Sequence, residues 1–172
     1  RTYYVTSLSK SVVPALRIGY LATPPGGAQR LVASLGASSW MASPLMAEVA
    51  AGLIEDGTAE KLVERQRAEM KRRQALAAKI LAAAERRAQP TGPSLWLALP
   101  EAWTALQFAS YVGAQGVLVI PAEAFAAARD PVPHAVRISL GGAVRDVNEL
   151  TKGLNVLAAA LATRPQPGYL VL

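Results

Sequence analysis

The chain is predicted to be an α/β protein whose larger part is an α+β sandwich of two layers, and three features of the sequence lead there. Thr2 to Ser7 and Arg17 to Ala22 are short runs of strand-forming composition on either side of Pro14, which cannot continue a helix between them. From Thr58 to Ala88 an alanine-rich, charged stretch reads as one long helix, because alanine loses least on entering a helix. Beyond Pro93 short apolar runs alternate with segments of helical period, so strands are interleaved with helices that cover one face of a sheet.

Taken in order, the second strand runs out at Thr23, and Pro24-Pro25-Gly26-Gly27 is a turn that opens a helix from Ala28 to Leu35. A serine-rich loop, Gly36 to Ala42, follows and carries Trp40 and Met41. Large apolar side chains such as these are expected to plug the core or an interface rather than wall a ligand cleft. Ser43-Pro44 begins a helix, with serine as cap and proline at the first helical position, where its missing donor does no harm. Its apolar stripe is Met46, Val49, Ala50, Leu53 and Ile54, and it stops at Asp56-Gly57. Thr58 is expected to cap the long helix, whose apolar line is Leu62, Val63, Met70, Ala77, Ile80 and Leu81 and whose span is about 30 residues or ~45 Å.

Gln89 to Pro93 breaks that helix. Ser94 to Leu99 reads as a strand containing Trp96, and Trp103 to Gln115 as a helix on Leu106, Ala109, Tyr111 and Val112. Gly116 to Ile120, apolar on both faces, is expected to be a central strand. Pro121 to Pro133 is a loop or short turn holding Phe125, and Ala135 to Leu140 is another strand before the Gly141-Gly142 turn. Asp146 and Glu149 form a capping box that opens the last helix, on Val147, Leu150, Leu154, Leu157 and Leu161. Arg164 to Gly168 breaks the chain again, and the apolar Tyr169 to Leu172 is expected to dock on this chain or a neighbour.

Composition narrows the chemistry. At 172 residues with 52% hydrophobic content the chain has ample material for a core. It contains no cysteine and one histidine, which excludes disulfides, thiolate metal sites and a histidine-based metal cluster. No signal-peptide pattern is present and no apolar run reaches the ~18 residues of a membrane span, so a cytoplasmic protein is expected. Most of the net charge of +6 lies between Thr58 and Ala88, where nine basic side chains face four acidic ones. Glu64 with Arg67, Arg65 with Glu69, and Glu69 with Arg73 stand three or four residues apart, as on a solvated helix face. No aromatic residue interleaves them for base stacking, so DNA binding by this chain itself is not expected.

The chemistry-bearing stretch is Ser7-Leu8-Ser9-Lys10, followed by Pro14-Ala15-Leu16-Arg17-Ile18-Gly19-Tyr20. A lysine at the end of a strand, its stem against apolar residues, can form a Schiff base with an aldehyde. Ser7 and Ser9 offer hydroxyl donors, and Arg17 a planar fork suited to phosphate oxygens. Amine, hydroxyls and guanidinium together describe a pyridoxal phosphate site. The competing reading is a surface loop with a lysine among serines. Arg137 is the second residue of interest, set among Val136, Ile138 and Leu140 in a strand where an unpaired guanidinium is expensive to bury. Alternation puts it on the face opposite Val136 and Ile138, which also suits an edge-strand arginine pointing to solvent. His134, just upstream, is assigned no role.

These motifs resemble the cofactor-lysine segment of fold type I, class I/II pyridoxal phosphate aminotransferases. The resemblance is nearest to the branch fused to a winged-helix DNA-binding domain in MocR-type regulators of the GntR family. It extends from Ser7 to about Leu161 and implies the small C-terminal domain of that fold, residues 58–172, preceded by the end of the large domain, residues 1–57. By the same resemblance Lys10 holds the cofactor as a Schiff base, Ser7 and Arg17 bind its phosphate, Ser9 is a further cofactor-binding residue, and Arg137 takes the substrate α-carboxylate. The departure is Ala15, where the family usually has glycine, which puts the tightest backbone position of the loop in question.

The chain, which opens on Arg1, is then read as the C-terminal part of a longer protein, and the family's phosphate-binding glycine loop, ring-stacking aromatic and pyridine-pairing aspartate are not found in this stretch. Efficient transamination by the fragment alone is therefore not expected. Two functions are implied: a homodimeric transcriptional regulator whose aminotransferase-like domain binds pyridoxal 5'-phosphate and an amino acid or amine effector, with DNA read by an upstream domain, or a free-standing aminotransferase. The run Leu53 to Arg67 with Met70-Lys71-Arg72-Arg73 resembles the regulator branch more.

Overall fold

The computed structural model describes residues 2–127, 131–141 and 146–164. Two compact units divide the chain, Arg1–Gln66 and Arg67–Leu172.

In the first unit, β1 (Tyr4–Ser7) and β2 (Gly19–Ala22) pair antiparallel, with Tyr4 opposite Ala22 and Ser7 opposite Gly19. Between them lie the one-turn helix α1 (Leu8–Ser11) and a 3-10 turn, Pro14–Leu16. The turn after β2 closes through Gly27 N–H to Pro24 C=O at 3.0 Å, with Gly26 at φ +79°, the geometry of a turn that needs glycine after proline. Helix α2 (Ala28–Ser38) runs one turn past the expected Leu35, into the segment read as a loop. The serines there are compatible with helix because Ser34 and Ser38 donate to the carbonyls of Arg30 and Ser34, one turn back. Trp40 is 78% exposed and Met41 is exposed as well, so neither plugs the core of this unit.

Helix α3 (Pro44–Glu55) starts as its sequence predicts, with the Ser43 hydroxyl accepting from Met46 N–H. Its buried Ala50 joins Leu16 and Ile18 in a small core against which Leu8, Val12, Met46 and Leu53 pack, while Val49 and Ile54 stay exposed. Asp56, rather than Thr58, caps the next helix. Its carboxylate accepts from Thr58 N–H at 2.8 Å, so Thr58 is the first helical residue of α4 (Thr58–Ile80).

Helix α4 is 23 residues long and ends at Ile80, short of the expected Ala88. Leu81 is drawn into the core, and the Arg86 guanidinium donates to the carbonyls of Leu81 and Ala84 at 3.1 and 3.5 Å, satisfying groups the helix end leaves open. Leu81 to Ala83 is accordingly turn and Ala84 a bend, and Arg86–Ala88 is a strand, β3.

The second unit is built on a four-stranded antiparallel sheet in the order β3-β4-β6-β5, where β4 is Ser94–Ala98, β5 Ile120–Pro121 and β6 Ala135–Ser139. Leu95 and Leu97 of β4 stand opposite Ile138 and Val136 of β6 and face the helices. These are the last part of α4, through Ala77, with α5 (Ala105–Gly113), through Phe108 and Val112, and α6 (Val147–Leu161), through Leu150, Leu154, Leu157 and Ala160. The two-layer sandwich is as predicted.

Several details differ from expectation. Helix α5 begins after Trp103, with a capping box between Thr104 and Gln107, and its Leu106 is exposed. Trp103 instead packs edge-on to Phe108 and donates through its indole N–H to the Thr163 carbonyl at 3.0 Å. The segment from Gly116 is not a central strand: Gly116 at φ +82° ends α5, Leu118 is 90% exposed, and only Ile120–Pro121 pairs, at the sheet edge. Pro121 has no N–H to give a second neighbour, which suits an edge and excludes a centre. Asp146 caps α6 by accepting from Asn148 N–H at 3.0 Å.

Arg73, read as part of a solvated face, is 8% exposed; it donates to Glu69 at 2.8 Å and to the Leu140 carbonyl at 2.7 Å. Gln74 beside it donates to the carbonyls of Gly92 and Ser94. Gly142 and Tyr169 to Leu172 lie outside the described residues. Among those described, no helix is long and apolar enough to cross a membrane, and no cluster of histidine, aspartate and glutamate could hold a metal ion.

Candidate functional site

Ser7 is both the last residue of β1 and the cap of α1. Its extended backbone (φ −150°, ψ 142°) lets the hydroxyl accept from Ser9 N–H at 3.1 Å while donating to the Ile18 carbonyl at 3.1 Å. The same carbonyl accepts from Leu8 N–H at 3.1 Å, so the loop 8–17 is clamped at its neck by two bonds to one oxygen. Both Lys10 and Arg17 sit on this closed loop and both are exposed. Neither the Lys10 ammonium nor the Arg17 guanidinium has an ion-pair or hydrogen-bond partner among the described residues. Lys10 lies in α1 and not at a strand end against apolar residues. The residue of α1 that is buried is Ser9.

Arg17 holds φ +52°, ψ +27°, the left-handed region that a side chain other than glycine enters at a cost of about 1–2 kcal/mol. The strained position of the loop is therefore Arg17 itself. Ala15, the departure from the family pattern, sits inside the 3-10 turn and is not among the residues of positive φ, so its methyl group meets no backbone strain. Gln66 completes this site in a way the sequence did not disclose, donating through Nε2 to the Lys10 carbonyl at 2.7 Å.

The donor set on the loop fits pyridoxal phosphate. It offers an amine for an aldehyde, and an unpaired guanidinium for phosphate oxygens. The Ser7 hydroxyl can add a donor only by turning its hydrogen away from Ile18.

Arg137 belongs to the second unit. Strand β6 lies between β4 and β5, so Arg137 is not on an edge strand; it is half-buried on the face opposite Val136 and Ile138. Trp96 stands directly across from it on β4 and Ile120 on β5, with Arg87 beyond Trp96 on β3. The guanidinium carbon lies 4.6 Å from the Phe125 ring centre, and that ring meets Trp96 edge-on at 5.4 Å. Its Nε is buried and has no hydrogen-bond partner among the described residues. On the same side, Arg87, Trp96, Ala98, His134 and Ala135 help line a cleft of about 600 Å³. His134 itself is exposed, with Nε2 3.3 Å from the Pro100 carbonyl.

Among solved structures the chain superposes on the kynurenine aminotransferase of Pyrococcus horikoshii, in complex with PMP, at a TM-score of 0.82 and 22% identity, over 93% of this chain and 40% of that one. It superposes on the multiple substrate aminotransferase of Thermococcus profundus at 0.81 and 20%, with coverage of 93% and 40%. The third is the alpha-aminoadipate aminotransferase of Thermus thermophilus, complexed with N-(5'-phosphopyridoxyl)-L-leucine, at 0.79 and 22%, with coverage of 93% and 41%. The chain has the fold type I aminotransferase fold.

A relative in sequence is of another kind. An uncharacterized HTH-type transcriptional regulator of Bacillus subtilis is 32% identical over 158 residues, 92% of this chain and 34% of the regulator. No protein-family model matches. The chain thus spans about a third of the regulator and two-fifths of the aminotransferases it matches. With an aminotransferase fold and a helix-turn-helix regulator as relative, the resemblance drawn from Ser7 to Lys10 and Pro14 to Tyr20 holds: the fold is that of the aminotransferases, and the sequence is similar to that of a regulator.

Proposed function

We propose that this chain is the effector-binding part of a transcriptional regulator that uses pyridoxal 5'-phosphate. In this reading residues 1–57 close the large cofactor domain, residues 58–172 form the connecting helix and small domain, and DNA is read by a part of the protein outside this chain. The protein acts as a homodimer in the cytoplasm.

The observation that carries the reading is the pair of exposed cations without partners, Lys10 and Arg17, on one loop clamped by the Ile18 carbonyl. Pyridoxal phosphate supplies an aldehyde that captures amines. Lys10 presents the amine that holds it, Arg17 orients its phosphate with help from Ser7 and Ser9, and Arg137 takes the carboxylate of an amino acid effector. Uncommitted cations are what an anionic ligand requires, since a guanidinium already paired within the protein must first be freed.

Borohydride reduction of the full-length protein loaded with pyridoxal phosphate, followed by peptide mapping, is expected to place the adduct on Lys10. Label on Lys79 or Lys152 instead overturns the assignment.

A further inference from the structure

The arginine of β6 is held in an unusual way for a half-buried cation. A guanidinium in a sheet normally meets a carboxylate, which fixes its plane but occupies its N–H groups. Arg137 has no such ion pair among the described residues. It meets the Phe125 ring at 4.6 Å, and Phe125 is braced by Trp96 at 5.4 Å with the ring planes 81° apart. An aromatic face attracts a cation through its quadrupole and accepts no conventional hydrogen bond from the N–H edge. The Nε is itself buried and without a partner, so the donors this arrangement leaves for a ligand are the terminal N–H groups of the guanidinium.

We propose that Phe125 is a positioning residue for Arg137, holding the guanidinium by the ring face so that its N–H edge stays open to an incoming carboxylate. The ring explains its own location: Phe125 is in a short 3-10 turn, Ala122–Phe125, remains 45% exposed, and is not part of the sandwich core. Trp96 serves the same end from the neighbouring strand, since its place across from Arg137 follows from the register of β4 and β6. The ligand class is an α-amino acid bound through its carboxylate, and this rests on the role proposed above for Arg137.

The test uses the full-length protein loaded with pyridoxal phosphate. The twenty common L-amino acids are screened, and the tightest binder is titrated beside the amine that lacks its carboxylate. Phe125→Leu is expected to weaken the amino acid about 3- to 30-fold, the range of a partly desolvated cation–π contact. It should leave amine and cofactor affinity unchanged, and Phe125→Tyr should bind as the wild type does. Ring-fluorinated phenylalanines at position 125 keep the shape while draining the negative face, and affinity should fall with each fluorine. Equal losses for amino acid and amine, or no trend with fluorination, overturn the positioning role. If Arg137→Ala leaves amino acid affinity intact, or no amino acid binds the wild type, the carboxylate role itself falls and the proposal with it. A loss in Arg137→Ala with none in Phe125→Leu removes Phe125 alone.

Discussion

Gln66 donates through its side-chain amide to the backbone carbonyl of Lys10 at 2.7 Å, joining helix α4 to the single turn that presents the amine. A helix of one turn cannot satisfy its own last carbonyls, so a side chain from elsewhere in the unit does so. Gln66→Glu replaces the donor with a carboxylate that cannot give this bond. It is expected to cost about 0.5–1.5 kcal/mol and to speed amide exchange across Leu8 to Val13. Urea denaturation and hydrogen exchange on the full-length protein measure the two effects.

Arg17 joins a strained backbone to a side chain free for an anion, and substitution separates the two. Arg17→Gly relieves the left-handed conformation and is expected to leave the fold at least as stable as the wild type. Both Arg17→Gly and Arg17→Ala should weaken cofactor retention by about 1.5–3 kcal/mol, the value of a hydrogen bond to a charged group. Arg137→Ala should retain the cofactor. Equilibrium titration with pyridoxal phosphate, beside thermal melts, resolves the three variants.

The stability of the second unit leans on Arg73, a cation inside the protein. Arg73→Ala removes its bonds to Glu69 and to the Leu140 carbonyl and is expected to destabilise the unit by about 1.5–3 kcal/mol. Lys71→Ala, on the exposed side of the same helix, should stay within about 0.5 kcal/mol of the wild type. Urea midpoints at constant slope give the comparison.

Asp56 ties stability to pH. Hydrogen bonds from the Thr58 backbone and side chain, with Lys61 nearby, hold its carboxyl below the ordinary value of 3.8 despite a small opposing effect of desolvation. A carboxylate whose folded pKa is depressed contributes stability above its unfolded pKa and loses it as pH falls through the folded one. Asp56→Ala is therefore expected to be less stable than the wild type at neutral pH. The gap should close as the pH drops below about 3.8, in denaturation series run at matched ionic strength.

Elements written in local code were legible from the residues alone. Ser43-Pro44 opens α3, Pro24 to Gly27 turns the chain, and Leu150, Leu154 and Leu157 line the buried face of α6, because capping, dihedral restriction and helical period act within a few residues. The lysine segment was legible for the same reason: its strand, turn and strand follow from residues next to one another, and Ser7 to Arg17 carry their chemical groups wherever the loop goes.

What the tertiary structure alone decided concerns partners distant in the chain. Arg86 to Ala88 has the composition of the basic helix before it and becomes a strand because β4 lies alongside; Gly116 to Ile120 looks central and is not, because only its end, Ile120–Pro121, pairs, and with β6 alone among the described strands. Arg73 looks solvated and is buried because the Leu140 carbonyl comes to meet it. Gln66 reaches Lys10, and Phe125 reaches Arg137, only after folding. Hydrogen bonds and ring contacts of this kind depend on which backbone passes within a few ångströms, a property of the packed chain that no periodicity encodes.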